Sequence, residues 1–100
     1  MTMNLFIILL KYKVSLDVID KYREEHIKFL DSNYKNGNFI ASGPKLPRTG
    51  GVIIAKTTSK LELESLLNND PFSINNLSEY EIHEFTPTKY ISELKTILEE

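Results

Sequence analysis

Two short stretches of this chain are apolar without interruption, and they limit its possible folds more than any other feature. Residues 5–10 read Leu-Phe-Ile-Ile-Leu-Leu, and residues 52–55 read Val-Ile-Ile-Ala after a Gly50-Gly51 pair. Both are rich in β-branched or aromatic side chains and too short for helices, so they predict strands over about 4–12 and 50–57. A strand whose apolar run is continuous rather than alternating is buried on both faces. The chain must therefore put these strands in the middle of a sheet and cover that sheet on both sides.

The remaining patterns supply the partners. Leu16, Ile19, Ile27, Leu30 and Tyr34 form one stripe at helical spacing, which predicts a helix from about Leu16 to Tyr34. Ser15 stands where a cap would, Asp17 lies in the favourable first turn, and Gly37 provides a stop. Residues 38–47 read as a strand that breaks at Gly43-Pro44. Ser59 and Glu62 make a capping box for a second helix with Leu63, Leu66 and Leu67 on one face. Residues 78–85 alternate Tyr80 and Ile82 with Glu79, Glu81 and His83, as a strand with one wet face does. A last helix is expected over about 89–99, with Ile91, Leu94 and Leu98 on one side.

The order is β-α-β-β-α-β plus a C-terminal helix, the ferredoxin-like α+β arrangement with a four-stranded antiparallel sheet. In that sheet the first and third strands are central, and these are the two continuous ones. A chain of 100 residues is expected to be one domain (1–100, with its core at 4–86), burying roughly 65% of its unfolded surface. Two crossover helices cover only one face of the sheet. The other face is expected to be covered by a second copy in a homodimer, the alternative being the C-terminal helix folded across it.

Composition narrows the function. The net charge is −2, so there is no basic field to attract nucleic acid or an anionic membrane. There are no cysteines, which excludes disulfides, thiolate nucleophiles and Cys-based metal sites. His26 and His83 lack the spacing of a zinc motif, so neither a metal nor a cofactor is expected. The run at 5–10 is far short of the ~20 residues needed to span a bilayer, and no lysine or arginine precedes it. A cytoplasmic protein is expected.

Few residues could carry chemistry. Arg23, His26 and Leu30 fall on neighbouring turns of one face of the first helix, where a histidine is often only structural. Asp70-Pro71 follows the second helix, and the proline alone would account for a helix stop. The segment 42–51 can be a structural turn, or a rigid loop whose amides bind an oxygen anion. His83, on the polar positions of its strand, is not expected in a site.

Taken together, His26, with Arg23 three residues before it, Ser42-Gly43-Pro44 at a strand end, Asp70-Pro71-Phe72 after the second helix and Phe85 closing the fourth strand resemble the YciI-like (YCII-related) family. The resemblance spans Leu5 to Phe85, and the segment 89–99 lies beyond it. It implies a dimeric α+β barrel of two sheets packed face to face, and a cleft in which His26 and Asp70 meet as a catalytic pair. There the carboxylate would orient the imidazole for acid–base work. Arg23, Ser42, Gly43, Pro44 and Phe72 would bind a small-molecule substrate or anion, the Ser42–Gly43 backbone holding a developing oxyanion. Phe72 with Tyr12 or Tyr80 would wall an aromatic ring. The chemistry implied is that of a cofactor-free lyase, isomerase or dehalogenase on a small cyclic or aromatic compound. The alternative is a non-catalytic dimeric module that binds a small ligand.

Overall fold

A computed structural model describes residues 3–99 of the chain. The elements are β1 (Leu5–Tyr12), α1 (Leu16–Lys35), β2 (Phe39–Pro44), β3 (Gly50–Ala55), α2 (Lys60–Leu67), the single turn α3 (Pro71–Ile74), β4 (Ser78–Phe85), a 3₁₀ turn (Ser92–Leu94) and α4 (Lys95–Leu98). The strands form one antiparallel sheet in the order β2-β3-β1-β4, with the two uninterrupted apolar strands at its centre. This is the ferredoxin-like arrangement that the sequence predicts.

Alternation along β1 separates the two faces. Phe6, Ile8 and Leu10 are buried beneath the helices, with Ile53 and Ala55 of β3 beside them. Ile19 of α1 and Leu63 and Leu67 of α2 close this layer from above. Each such side chain contributes about 1.5–3 kcal/mol when fully removed from water. The other face carries Ile7 and Leu9 opposite Ile54 and Val52, flanked on β4 by Glu79, Glu81 and His83. Gly50 has a reason of its own. It crosses β1 so closely that a Cβ there would sit on the carbonyl group of Leu10.

Three local expectations need correction. Ser15 stands at the N-cap, but its side chain makes no capping bond; its carbonyl alone accepts from Val18 and Ile19. Only half of the capping box forms. Ser59 Oγ accepts from the Glu62 amide at 3.1 Å, while the Glu62 carboxylate turns to the Thr58 hydroxyl.

The continuous helix over 89–99 is absent. Ile91 is extended, and only the 3₁₀ turn and one α-turn wind after it. So short a helix has little stability of its own. Tertiary contacts decide its length: Met3 N–H donates to the Leu98 carbonyl at 2.7 Å, and Lys56 Nζ donates to that of Ile97. By strand alternation Lys56 shares the helix-free face with Ile54. The segment thus closes the end of that face near Leu5, where Leu98 is fully buried, and leaves the middle uncovered.

Candidate functional site

The site is assembled where α3 meets α1. α2 ends at Leu67 with Asn68 as its C-cap, before Pro71 is reached. Pro71 therefore does not stop α2; it occupies the first turn of α3, where its missing N–H and fixed φ are no handicap. Asp70 is the N-cap of that turn, held extended before the proline at φ −67° and ψ 128°. Its Oδ1 accepts from the Phe72 amide at 3.0 Å, a capping bond worth about 1 kcal/mol.

The same oxygen meets His26. Nδ1 of the imidazole, projecting from α1, lies 2.7 Å from Asp70 Oδ1. The second oxygen, Oδ2, accepts from the Tyr80 hydroxyl of β4 at 2.6 Å. Asp70 is completely buried. A carboxylate can lie there because N–H and O–H donors occupy both of its oxygens. Burial, then the charge of Asp70 and its hydrogen bond, push the Tyr80 phenol far above its ordinary value, so the hydroxyl remains a donor.

The ring of His26 is fixed from the side as well. Phe72 stacks on it, with centroids 4.0 Å apart and planes 6° from parallel. Tyr12 in turn meets Phe72 edge-on. One face of the His26 side chain borders a cavity of about 180 Å³ between α1 and the β2–β3 side of the sheet. Its floor and walls include Leu10, Ile53, Ile27 and Leu30, with Arg23 and Arg48 also on its lining.

Of the residues singled out from sequence, His26, Arg23, Ser42, Gly43, Pro44 and Phe72 all line this cavity. Asp70 does not line it and stands behind His26. Ser42 Oγ is 2.6 Å from the Tyr34 hydroxyl, which joins the end of α1 to β2. His83 lies on the opposite face, exposed, with Nε2 3.1 Å from Glu81.

Three contacts were not foreseen. Tyr80, read as a wall for a ring, instead anchors Asp70. Arg48, in the loop after β2, donates to Asp20 of α1 at 2.5 Å. That bond holds the Asp20 carboxyl below its usual range against the opposing effect of desolvation, with smaller help from the charges of Arg48 and Arg23. Tyr34, read as part of the buried stripe, reaches Ser42. Core-facing periodicity signalled Tyr80; nothing local signalled the link between Arg48 and Asp20, 28 residues apart.

Among the described residues no cluster of three or more His, Cys, Asp or Glu could hold a metal ion, and no helix is long and apolar enough to cross a membrane.

The fold and site define a class: ferredoxin-like chains with a histidine–carboxylate pair beside a small cavity under the first helix. The model of the YCII-related domain matches residues 3–86, and the chain belongs to that family. Among solved structures it is similar to 5-chloro-2-hydroxyhydroquinone dehydrochlorinase from Burkholderia phenoliruptrix, in complex with 2,5-dihydroxybenzoquinone. The TM-score is 0.71 at 23% identity, covering 89% of this chain and 97% of the other; at that identity the likeness is one of fold. No curated protein sequence matches the chain significantly.

Proposed function

We propose that this chain is a small, cofactor-free enzyme in which His26, oriented by Asp70, performs acid–base chemistry on a small cyclic or aromatic molecule. The observation that carries the reading is the 2.7 Å contact between His26 Nδ1 and a carboxylate that has no exposure of its own. An ionised carboxylate only accepts, so the proton of the neutral imidazole sits on Nδ1. Nε2 then presents a lone pair, the form a general base requires. As Nε2 takes a proton, positive charge grows on the ring directly opposite Asp70, where burial weakens screening by water.

The reaction class is proton removal by His26 Nε2, after which the freed electron pair shifts through the ring and either takes the proton back at another atom or expels a leaving group as its anion. The first outcome is isomerisation. The second is elimination, of which loss of HCl is one case, and the dehydrochlorinase of similar fold supports it as the first to try. Phe72 already lies parallel to His26, and the apolar part of the cavity suits a flat ring. Ser42 and Gly43 line the cavity, which supports their backbone as the holder of a developing oxyanion. A binding module would be the better reading were the pair sealed in the core, and His26 instead borders the cavity.

The uncovered middle of the helix-free face, with Ile7, Leu9, Val52 and Ile54, supports assembly with a second copy. The dimer would have twice the 11.5 kDa of one chain, about 23 kDa, in sedimentation at micromolar concentration.

The catalytic reading is tested by chloride release from 5-chloro-2-hydroxyhydroquinone by the native protein and by His26→Gln. Loss of general acid–base catalysis predicts a rate about 10²–10⁴-fold lower in the variant. Equal rates in the two proteins would remove His26 from the reaction.

A further inference from the structure

The cavity has a charge as well as a shape. Arg23, His26 and Arg48 line it, and among the described residues no aspartate or glutamate does, in a chain whose net charge is −2. Two arginines brought from separate elements to one small apolar cavity are an uncommon expense of charge unless something negative is held there. A carboxylate beside them, Asp20, lies outside the lining. It takes a single bond from Arg48 Nη2, at 2.5 Å, and lies one helical turn before Arg23. That bond engages one of the five N–H donors of the guanidinium, Tyr12 of the same lining is a second partner, and further donors of the fork remain for another acceptor. The Arg48 side chain is about one-third exposed, so it is neither locked in the core nor free in solvent.

Volume sets the size of what could fit. Cavities of about 150 Å³ lined by leucine, isoleucine and phenylalanine hold a benzene molecule. The cavity here, at about 180 Å³, has room for one six-membered ring with a small substituent.

We propose that Arg48 and Arg23 form an anion subsite, and that the ligand of this cavity is a single-ring compound bearing an ionised oxygen. Asp20 is the positioning residue: it holds Arg48 over the mouth and shares it with the ligand's oxygen. The inference rests on the reading of this cavity as the substrate site and names the substrate's charge and size. It also separates the roles within the cavity. The arginines hold the anionic substituent, and His26 faces the ring that the anion has placed.

The test uses binding alone. Benzoate and its neutral isostere benzamide are titrated into the native protein, Arg48→Gln and Asp20→Asn, with thermal unfolding to verify each fold. The native protein is expected to prefer benzoate about ten-fold, as a charge-assisted arginine contact implies. Arg48→Gln, which leaves Arg23 in place, should lower the ratio about three-fold or more with benzamide affinity unchanged. Asp20→Asn, which removes the competing carboxylate, should raise the ratio about three-fold. A purely structural ion pair would instead weaken both rings by one factor in both variants, and that result overturns the proposal. So does a native ratio near one, a ratio that fails to rise in Asp20→Asn, or the absence of binding by either ring at millimolar concentration. Selective benzoate binding without chloride release would reject the catalytic reading and keep the subsite; chloride release without charge selectivity would do the reverse.

Discussion

Replacing Asp70 by asparagine isolates charge from shape, and the structure says which way the new amide must turn. Oδ1 of Asp70 accepts from both the Phe72 amide and His26 Nδ1. The backbone N–H of Phe72 cannot become an acceptor, so the oxygen of the introduced side chain must stay where Oδ1 is, and its NH₂ must face Tyr80. The Tyr80 hydroxyl can reverse and accept, since a phenol does either. Every polar group keeps a partner. What is lost is the strength of bonds to a charge over bonds to a neutral group, about 1 kcal/mol for each of three. Against that stands the lower cost of burying an amide than a carboxylate, so the expected net loss is about 1–2 kcal/mol. Asp70→Ala is different. It removes the cap of α3, about 1 kcal/mol, and strands the donors of His26 and Tyr80, about 1–3 kcal/mol each, for a total of about 3–7 kcal/mol. For a chain of this size the thermal midpoint should fall by about 5–10 °C in Asp70→Asn and by more than about 15 °C in Asp70→Ala.

The decisive measurement is the tautomer of the His26 ring, read from its ¹⁵N shifts at a pH where the imidazole is neutral. The proton should stay on Nδ1 in both the native protein and Asp70→Asn, because an oxygen in the same place still accepts it. Turnover should nevertheless drop by about 10²-fold or more, through loss of the charge that faces the developing imidazolium. A proton found on Nε2 in the asparagine variant would refute the claim that Phe72 fixes the orientation of the side chain at position 70. Unchanged turnover with an unchanged tautomer would show that the charge does not contribute to catalysis.

Three further outcomes are expected. Tyr80 stays protonated in the folded protein beyond the pH near 10 at which an unfolded tyrosine ionises, so the unfolded state binds one proton fewer there. Its contribution is fully present below pH ~10 and is lost above it at about 1.4 kcal/mol per pH unit; urea unfolding of Tyr80→Phe should show an alkaline slope shallower by one proton, and equal slopes would contradict this. Gly50→Ala should destabilise the fold by more than about 2 kcal/mol, whereas Gly43→Ala, with open space around its Cβ position, should change the denaturation midpoint little. His83→Gln should leave ligand binding and turnover unchanged, since His83 and its partner Glu81 are both more than half exposed on the far face.

The sheet was legible in the sequence because its cause is local. Uninterrupted apolar runs at β1 and β3 and alternation at β4 state how many faces each strand buries, and topology then orders them. The ends of the chain's elements were less so. A capping serine competes with several backbone conformations, and Ser15 lost that competition. The segment after Ile91 took its length from contacts with Met3 and Lys56, which no window of sequence around it contains. In the site, the approach of His26 to Asp70 came from resemblance to a family and not from spacing, which favoured a helix stop. The link from Arg48 to Asp20 and the anchor from Tyr80 to Asp70 depend on how a loop and a strand return to α1, and residue patterns carry no measure of that.

The double use of one oxygen has a consequence in time. When the single turn of α3 frays, the Phe72 amide and the His26 ring let go of the same atom, and Phe72 withdraws the aromatic surface against which that ring rests. Deuterium uptake at the Phe72 amide therefore keeps a clock on the imidazole. The protection factor of that one backbone position measures how rarely the His26 ring is left unheld in the resting protein.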